Sequence, residues 1–255
     1  MVNEQLTGRT VASHLNLIGR FYEEFDWREV TQKEVQEYLM KLGNKNTYRN
    51  NLSTLRVFFR DFKQVPWLVE GFRFPRVMLL PKAIPSRQEL QDFYNAIDDL
   101  RDRAIFLMFA SSGLRRQELL GLRMGEIDLE KRMLTPKTKG MTKLAWVSFY
   151  NEEAEGLLRK YLGQRRAGSG RLFVHKEADL KKIWIGAMEK TGLEITPQVL
   201  REWFAEEMSN LGVPERYIDA FCGRIPRSVL AKHYTNYRPE KLRQAYEKAG
   251  LRVRG

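Results

Sequence analysis

The chain has 255 residues, a single cysteine and a formal net charge of +12. One cysteine excludes an intramolecular disulfide and a cysteine-rich zinc site, and the longest apolar run, Ala104 to Ala110, is far too short to span a bilayer; a soluble cytoplasmic protein is expected. Basic residues outnumber acidic ones both before and after residue 85, which suits a long polyanion whose phosphates reward lysine and arginine through counterion release.

The pattern from Thr10 to Phe62 is helical. Val11, Leu15, Ile18, Tyr22 and Phe25 share one face of a first amphipathic helix, in which His14 has a structural place. Thr31 and Glu34 stand in capping-box positions ahead of a second, which turns Val35, Tyr38, Leu39 and Leu42 inward and stops at Gly43. A third is expected from about Asn46 to Phe62, with Tyr48, Leu52, Leu55, Phe59 and Phe62 as its apolar stripe. Lys45, Arg49, Arg56 and Arg60 recur on another face, either an ordinary solvated surface or a stripe that lies along a nucleic-acid backbone.

Pro75, Pro81 and Pro85 interrupt residues 75–85, which read as an extended connector. A small helical domain over residues 1–74, a linker over 75–85 and a larger domain over 86–255 follow. Ser86 and Glu89 form another capping box. Helices are expected from Ser86 to about Ile97, from Arg101 to Ser111 and from near Leu114, after a break at Gly113. Met133–Leu134 and the run Leu144, Trp146, Val147, Phe149 flank a polar turn at 138–142 and predict a small antiparallel sheet. Helical spacing returns at 152–162, 179–190, 197–210, 215–222, 228–234 and 239–248. The fold class is therefore mainly α with a small antiparallel β-sheet.

Four places carry chemistry. Gly113-Leu114-Arg115 precedes Glu118-Leu119, and the glycine break sets Arg115 in the first turn of a helix, where a guanidinium and free N–H groups suit a phosphate oxygen. Lys139 lies in the polar turn, 24 residues after Arg115, on a stem that can deliver an ammonium to a developing alkoxide; Lys137 and Lys143 are close rivals. In Thr196-Pro197-Gln198-Val199-Leu200-Arg201 the threonine is an N-cap and the proline opens a helix, so that Gln198 and Arg201 share a face. Phe221-Cys222-Gly223-Arg224 is followed by Lys232-His233-Tyr234-Thr235.

In this order and spacing the four segments resemble the tyrosine recombinase (phage integrase) family, and Thr10–Phe62 looks like the family's helical core-binding domain. The resemblance implies a two-domain architecture, a core-binding domain joined to an α+β catalytic domain. It matches Arg115 and Arg201 to the two phosphate-binding arginines, Lys139 to the lysine that protonates the leaving 5′ oxygen and Tyr234 to the nucleophile. Tyr237 is the rival nucleophile, less favoured because the trailing Thr235 and the distance from Arg224 suit Tyr234.

The chain departs from the family twice. Gln198 stands where a histidine is usual and leaves an amide that only hydrogen-bonds; Arg224 stands at the second histidine position and cannot act as a base near neutral pH. Both substitutions resemble integrases of archaeal viruses and plasmids.

The implied activity is site-specific cleavage and rejoining of double-stranded DNA through a 3′-phosphotyrosine, without metal or ATP or any other cofactor, by a homo-tetramer associated with the nucleoid. The resemblance also implies that the last helix docks on a neighbouring protomer, so that deleting 239–255 impairs assembly more than DNA affinity. A type IB topoisomerase shares the chemistry, and a non-catalytic DNA-binding protein shares the fold. Relaxation without strand exchange marks the first, and failure to trap covalent DNA marks the second. His14, His175 and His233 have no zinc-ligand spacing, and Cys222 reads as a packed thiol.

Overall fold

The computed structural model describes residues 8–76, 82–137, 147–165, 170–174, 177–224 and 237–254. The chain divides into two compact units, Met1–Lys82 and Ala83–Gly255. Residues 72–76 and 82–86 form neither helix nor strand, and 77–81, within the expected linker, lie outside the described residues.

In the first unit α1 (Gly8–Glu24), α2 (Gln32–Lys41) and α3 (Lys45–Arg56) enclose a core of Phe21, Val35, Leu39, Leu52, Leu55 and Phe59. Thr31 and Glu34 cap α2 reciprocally, and Asn44 caps α3 by accepting from the amides of Asn46 and Thr47. The inward face of α1 is corrected by one residue. Phe21 is fully buried, stacked on Phe25 at 5.2 Å and edge-on to Tyr38 at 5.1 Å and Phe59 at 5.7 Å, whereas Leu15 is 63% and Tyr22 38% exposed. Adjacent aromatics compete for one core position, and Phe21 carries no hydroxyl that needs a partner.

The third helix is also corrected. Beyond Arg56 the winding widens to a π-helical turn over Val57–Phe62, closed by the amide of Lys63 donating to the Phe58 carbonyl five residues back at 2.8 Å. The change of pitch buries both Phe58 and Phe59 and leaves Phe62, expected in the stripe, 65% exposed.

The second unit is built around α5 (Leu100–Ser112), whose residues Ala104 to Ala110 are all buried. A helix that is apolar on every side must be enclosed, and α7 (Glu152–Gln164) and α9 (Pro197–Asn210) pack on it. α4 (Arg87–Asn95), opened by the Ser86–Glu89 capping box, lies against α8 (Glu177–Thr191). The short helices are α6 (Arg116–Gly121) and α10 (Glu215–Phe221).

The sheet has three two-residue antiparallel strands in the order β1 (Ile127–Asp128), β2 (Met133–Leu134) and β3 (Ser148–Phe149). Leu134 stands opposite both Ile127 and Ser148. β1 was not expected, because Ile-Asp is too short to show alternation. The polar turn at 138–142, with Leu144 and Trp146, lies outside the described residues, as does the helix expected at 228–234.

The final helix is α11 (Pro239–Ala249). Leu242 and Tyr246, with Leu251 and Val253 beyond it, are buried in the second unit's own core. Tyr246 donates its hydroxyl to the Ser111 carbonyl of α5 at 2.7 Å. The apolar face of α11 is thus consumed within its own chain, and residues 239–253 are part of the fold that carries the site.

Candidate functional site

The site begins where α5 ends. Gly113 takes the left-handed conformation, φ 63°, that glycine adopts without steric cost, and a Cβ there would lie 2.3 Å from Cδ1 of Phe204 on α9. Two residues later Arg115 is extended and caps α6, one position ahead of the first turn expected for it. Glu118 holds it at both ends. One carboxylate oxygen accepts from the Arg115 amide at 2.8 Å and the other from its Nη1 at 2.9 Å.

Thr196 caps α9 by accepting from the amide of Val199 at 3.2 Å, and Pro197 fills the first helical position. Arg201 in the next turn points inward and is only 4% exposed. Its Nη1 donates to the Gly113 carbonyl and its Nη2 to the Cys222 carbonyl.

The Cys222 carbonyl also accepts from Nη1 of Arg115 at 3.3 Å, and the Gly223 carbonyl accepts from Arg115 Nη2 at 3.1 Å. Two guanidiniums from distant parts of the sequence therefore converge on one turn after α10. Arg224, on that turn and exposed, makes a 3.5 Å ion pair with Asp219. Burial pulls the Arg201 guanidinium below its usual pKa, and the like charges of Arg115 and Arg224 add to the effect. The cluster favours an anion, because a phosphate would relieve that repulsion while taking up N–H donors in fork geometry.

The other expected residues fall differently. Gln198 is exposed and donates to Glu202 at 2.8 Å. Lys139, its rival Lys143 and Tyr234 lie outside the described residues, as do His175 and His233. Lys137 is exposed, its amide donating to Glu126 at 3.2 Å. Tyr237 is partly buried against the core, His14 is half-buried in α1, and Cys222 is a buried thiol whose pKa is raised by burial. Among the described residues no cluster of His, Cys, Asp or Glu could hold a metal, and no helix is long and apolar enough to cross a membrane.

In the first unit the basic stripe folds onto residues 72–76. Lys45 donates to the Arg76 carbonyl at 3.4 Å. Arg56 donates to the Phe72 carbonyl and lies 4.6 Å from the Phe74 ring centre, with Arg49 at 5.9 Å. Arg60, on the π-helical turn, is paired with Asp61 through Nε at 2.6 Å.

Glu118 is the residue the sequence reading missed. Its signal was present, since Arg115-x-x-Glu118 has capping-box spacing, but an arginine is not a usual N-cap.

Two family models match the chain: phage integrase family over residues 86–241, and phage integrase N-terminal SAM-like domain over residues 1–68. A tyrosine recombinase XerA of Pyrococcus horikoshii is 27% identical over 95% of this chain and 88% of its own length. One of Thermococcus kodakarensis is 30% identical over 81% and 78%. A solved lambda integrase tetramer bound to a Holliday junction matches 92% of this chain and 73% of its own, with a TM-score of 0.70 at 13% identity, a likeness of fold. With one family model spanning most of the second unit and another most of the first, the chain belongs to the phage integrase family, the tyrosine recombinases.

Proposed function

We propose that this chain cuts and rejoins double-stranded DNA at specific sites, with Tyr234 as the nucleophile. The observation that carries this reading is the convergence of the Arg115 and Arg201 guanidiniums on the 222–223 turn. Preorganised cations of this kind stabilise the charge that builds on the non-bridging oxygens of a phosphate in the transition state.

The reaction then balances as follows. The Tyr234 hydroxyl gives up its proton to water as its oxygen attacks phosphorus, the bond from phosphorus to the 5′ oxygen breaks, and the departing oxygen takes a proton from Lys139, which solvent then reprotonates. A 3′-phosphotyrosine and a 5′ hydroxyl result. The phosphodiester energy is kept in the covalent link, so attack by a 5′ hydroxyl from a partner strand rejoins DNA without ATP or metal. Gln198 and Arg224 serve as hydrogen-bond donors in the places of the family's histidines. Lys45, Arg49, Arg56 and Arg60 lie along the backbone of the bound duplex, residues 1–74 acting as the core-binding domain and 86–255 as the catalytic one. The working assembly is a homo-tetramer on two duplexes, by analogy with the lambda integrase tetramer bound to its Holliday junction.

The test is incubation with a nicked suicide duplex, followed by denaturing electrophoresis. A covalent adduct is expected with wild type and with Tyr237→Phe and none with Tyr234→Phe. An adduct lost only in Tyr237→Phe moves the nucleophile, and none at all with DNA binding intact identifies a non-catalytic binding protein.

A further inference from the structure

The last turn of a helix leaves carbonyls without intrahelical partners. At the end of α5, three consecutive carbonyls are met by side chains from three separate elements. Tyr246 of α11 donates its hydroxyl to Ser111 O at 2.7 Å, Ser148 of β3 donates to Ser112 O at 2.5 Å, and Arg201 of α9 donates to Gly113 O. Tyr246 also lies against Phe149 at 5.6 Å, Phe221 at 5.8 Å and Phe204 at 6.5 Å, rings on β3, α10 and α9. Arg115 follows Gly113 by two residues and meets Arg201 again at the Cys222 carbonyl.

We propose that Ser148 and Tyr246 are positioning residues for the arginine pair: by capping the two carbonyls before Gly113, they fix the turn on which Arg115 and Arg201 are registered. Loss of either hydroxyl strands a buried carbonyl. The nearest relief is rotation of the peptide planes between Ser111 and Gly113, and that rotation carries Arg115 and the Gly113 carbonyl with it. Reacting groups displaced by about 1 Å lose on the order of a hundredfold in rate, so a fraction of that displacement registers in the chemistry while leaving the fold intact. The proposal rests on the recombinase reading of the pair.

The experiment compares Tyr246→Phe and Ser148→Ala with wild type on two suicide duplexes, one with the ordinary scissile phosphodiester and one with a methylphosphonate there. The methyl group removes the negative charge that the arginines neutralise. At a temperature where circular dichroism shows each variant folded, both are expected to bind DNA within about twofold of wild type and to form adduct on the phosphodiester roughly tenfold more slowly. On the methylphosphonate they approach the wild-type rate, and Ser148→Thr, which keeps a hydroxyl, restores the rate on the phosphodiester. Equal slowing on both duplexes, or none on either, overturns the proposal, and where one variant does not fold the other decides. If wild type itself forms no adduct on the phosphodiester, the recombinase reading has failed instead.

Discussion

The arginines of the two units are held in different ways. Arg201 is buried and gives both ends of its guanidinium to backbone carbonyls on separate loops, and Arg115 is fastened to Glu118 and to the turn after α10. Lys45, Arg49 and Arg56 lie on the surface of α3 and reach the adjacent 72–76 segment of their own unit. A charge built into a core is fixed before any ligand arrives, while a charge laid over a neighbouring segment must exchange that contact for a phosphate. The first arrangement suits rate and the second suits affinity.

The largest break of that contrast is deletion of residues 239–255. Because Leu242, Tyr246, Leu251 and Val253 are core, the truncated chain is expected to lose the cooperative unfolding of its second unit in a thermal melt, and cleavage with it. A truncated protein that still forms adduct contradicts the burial of α11 described above.

Arg201→Ala comes next. Its adduct rate should fall by about a hundredfold or more, with the fold weakened by about 1–3 kcal/mol because the Gly113 carbonyl loses a buried partner; single-turnover cleavage and urea denaturation measure the two. Arg201→Lys keeps the charge and loses the fork, so a rate close to wild type would show that charge alone suffices.

Gly113→Ala tests the frame itself. The added methyl meets the Phe204 ring, and the backbone there is left-handed, so a loss of about 2–4 kcal/mol is expected in the same denaturation. A change within about 0.5 kcal/mol would mean the loop relaxes freely.

The smallest effect belongs to the first unit. Arg56→Ala should weaken DNA binding, reduce its salt dependence by about one counterion and leave the single-turnover rate of bound complex unchanged. A fall in that rate with affinity intact would erase the distinction between the units.

Much of this was readable from the sequence wherever a local signal decides. Thr31 with Glu34, Ser86 with Glu89, and Thr196 before Pro197 each begin a helix at the expected residue, since caps act within four residues. The apolar run Ala104–Ala110 announced the enclosed helix, and the mainly α fold with its small sheet was legible. What could not be read depended on contacts between distant residues. Phe21 and Tyr22 are equally apolar neighbours, and only the rings of Tyr38 and Phe59 select Phe21. The π-helical turn at 57–62 has an apolar residue at nearly every position that either pitch would bury. Arg115 and Arg201 were singled out by motif, but their shared carbonyl belongs to Cys222, whose own side chain points to nothing but packing.

The central claim is the identity of the nucleophile, and mass spectrometry of the trapped complex tests it most directly. Trypsin cuts after Lys232 and does not cut between Arg238 and Pro239, so Tyr234 and Tyr237 fall in one peptide and fragmentation separates them. The account predicts a nucleotide joined through its 3′ phosphate to Tyr234. A nucleotide on the half-buried Tyr237 or on any other residue, or one joined through a 5′ phosphate, would contradict it.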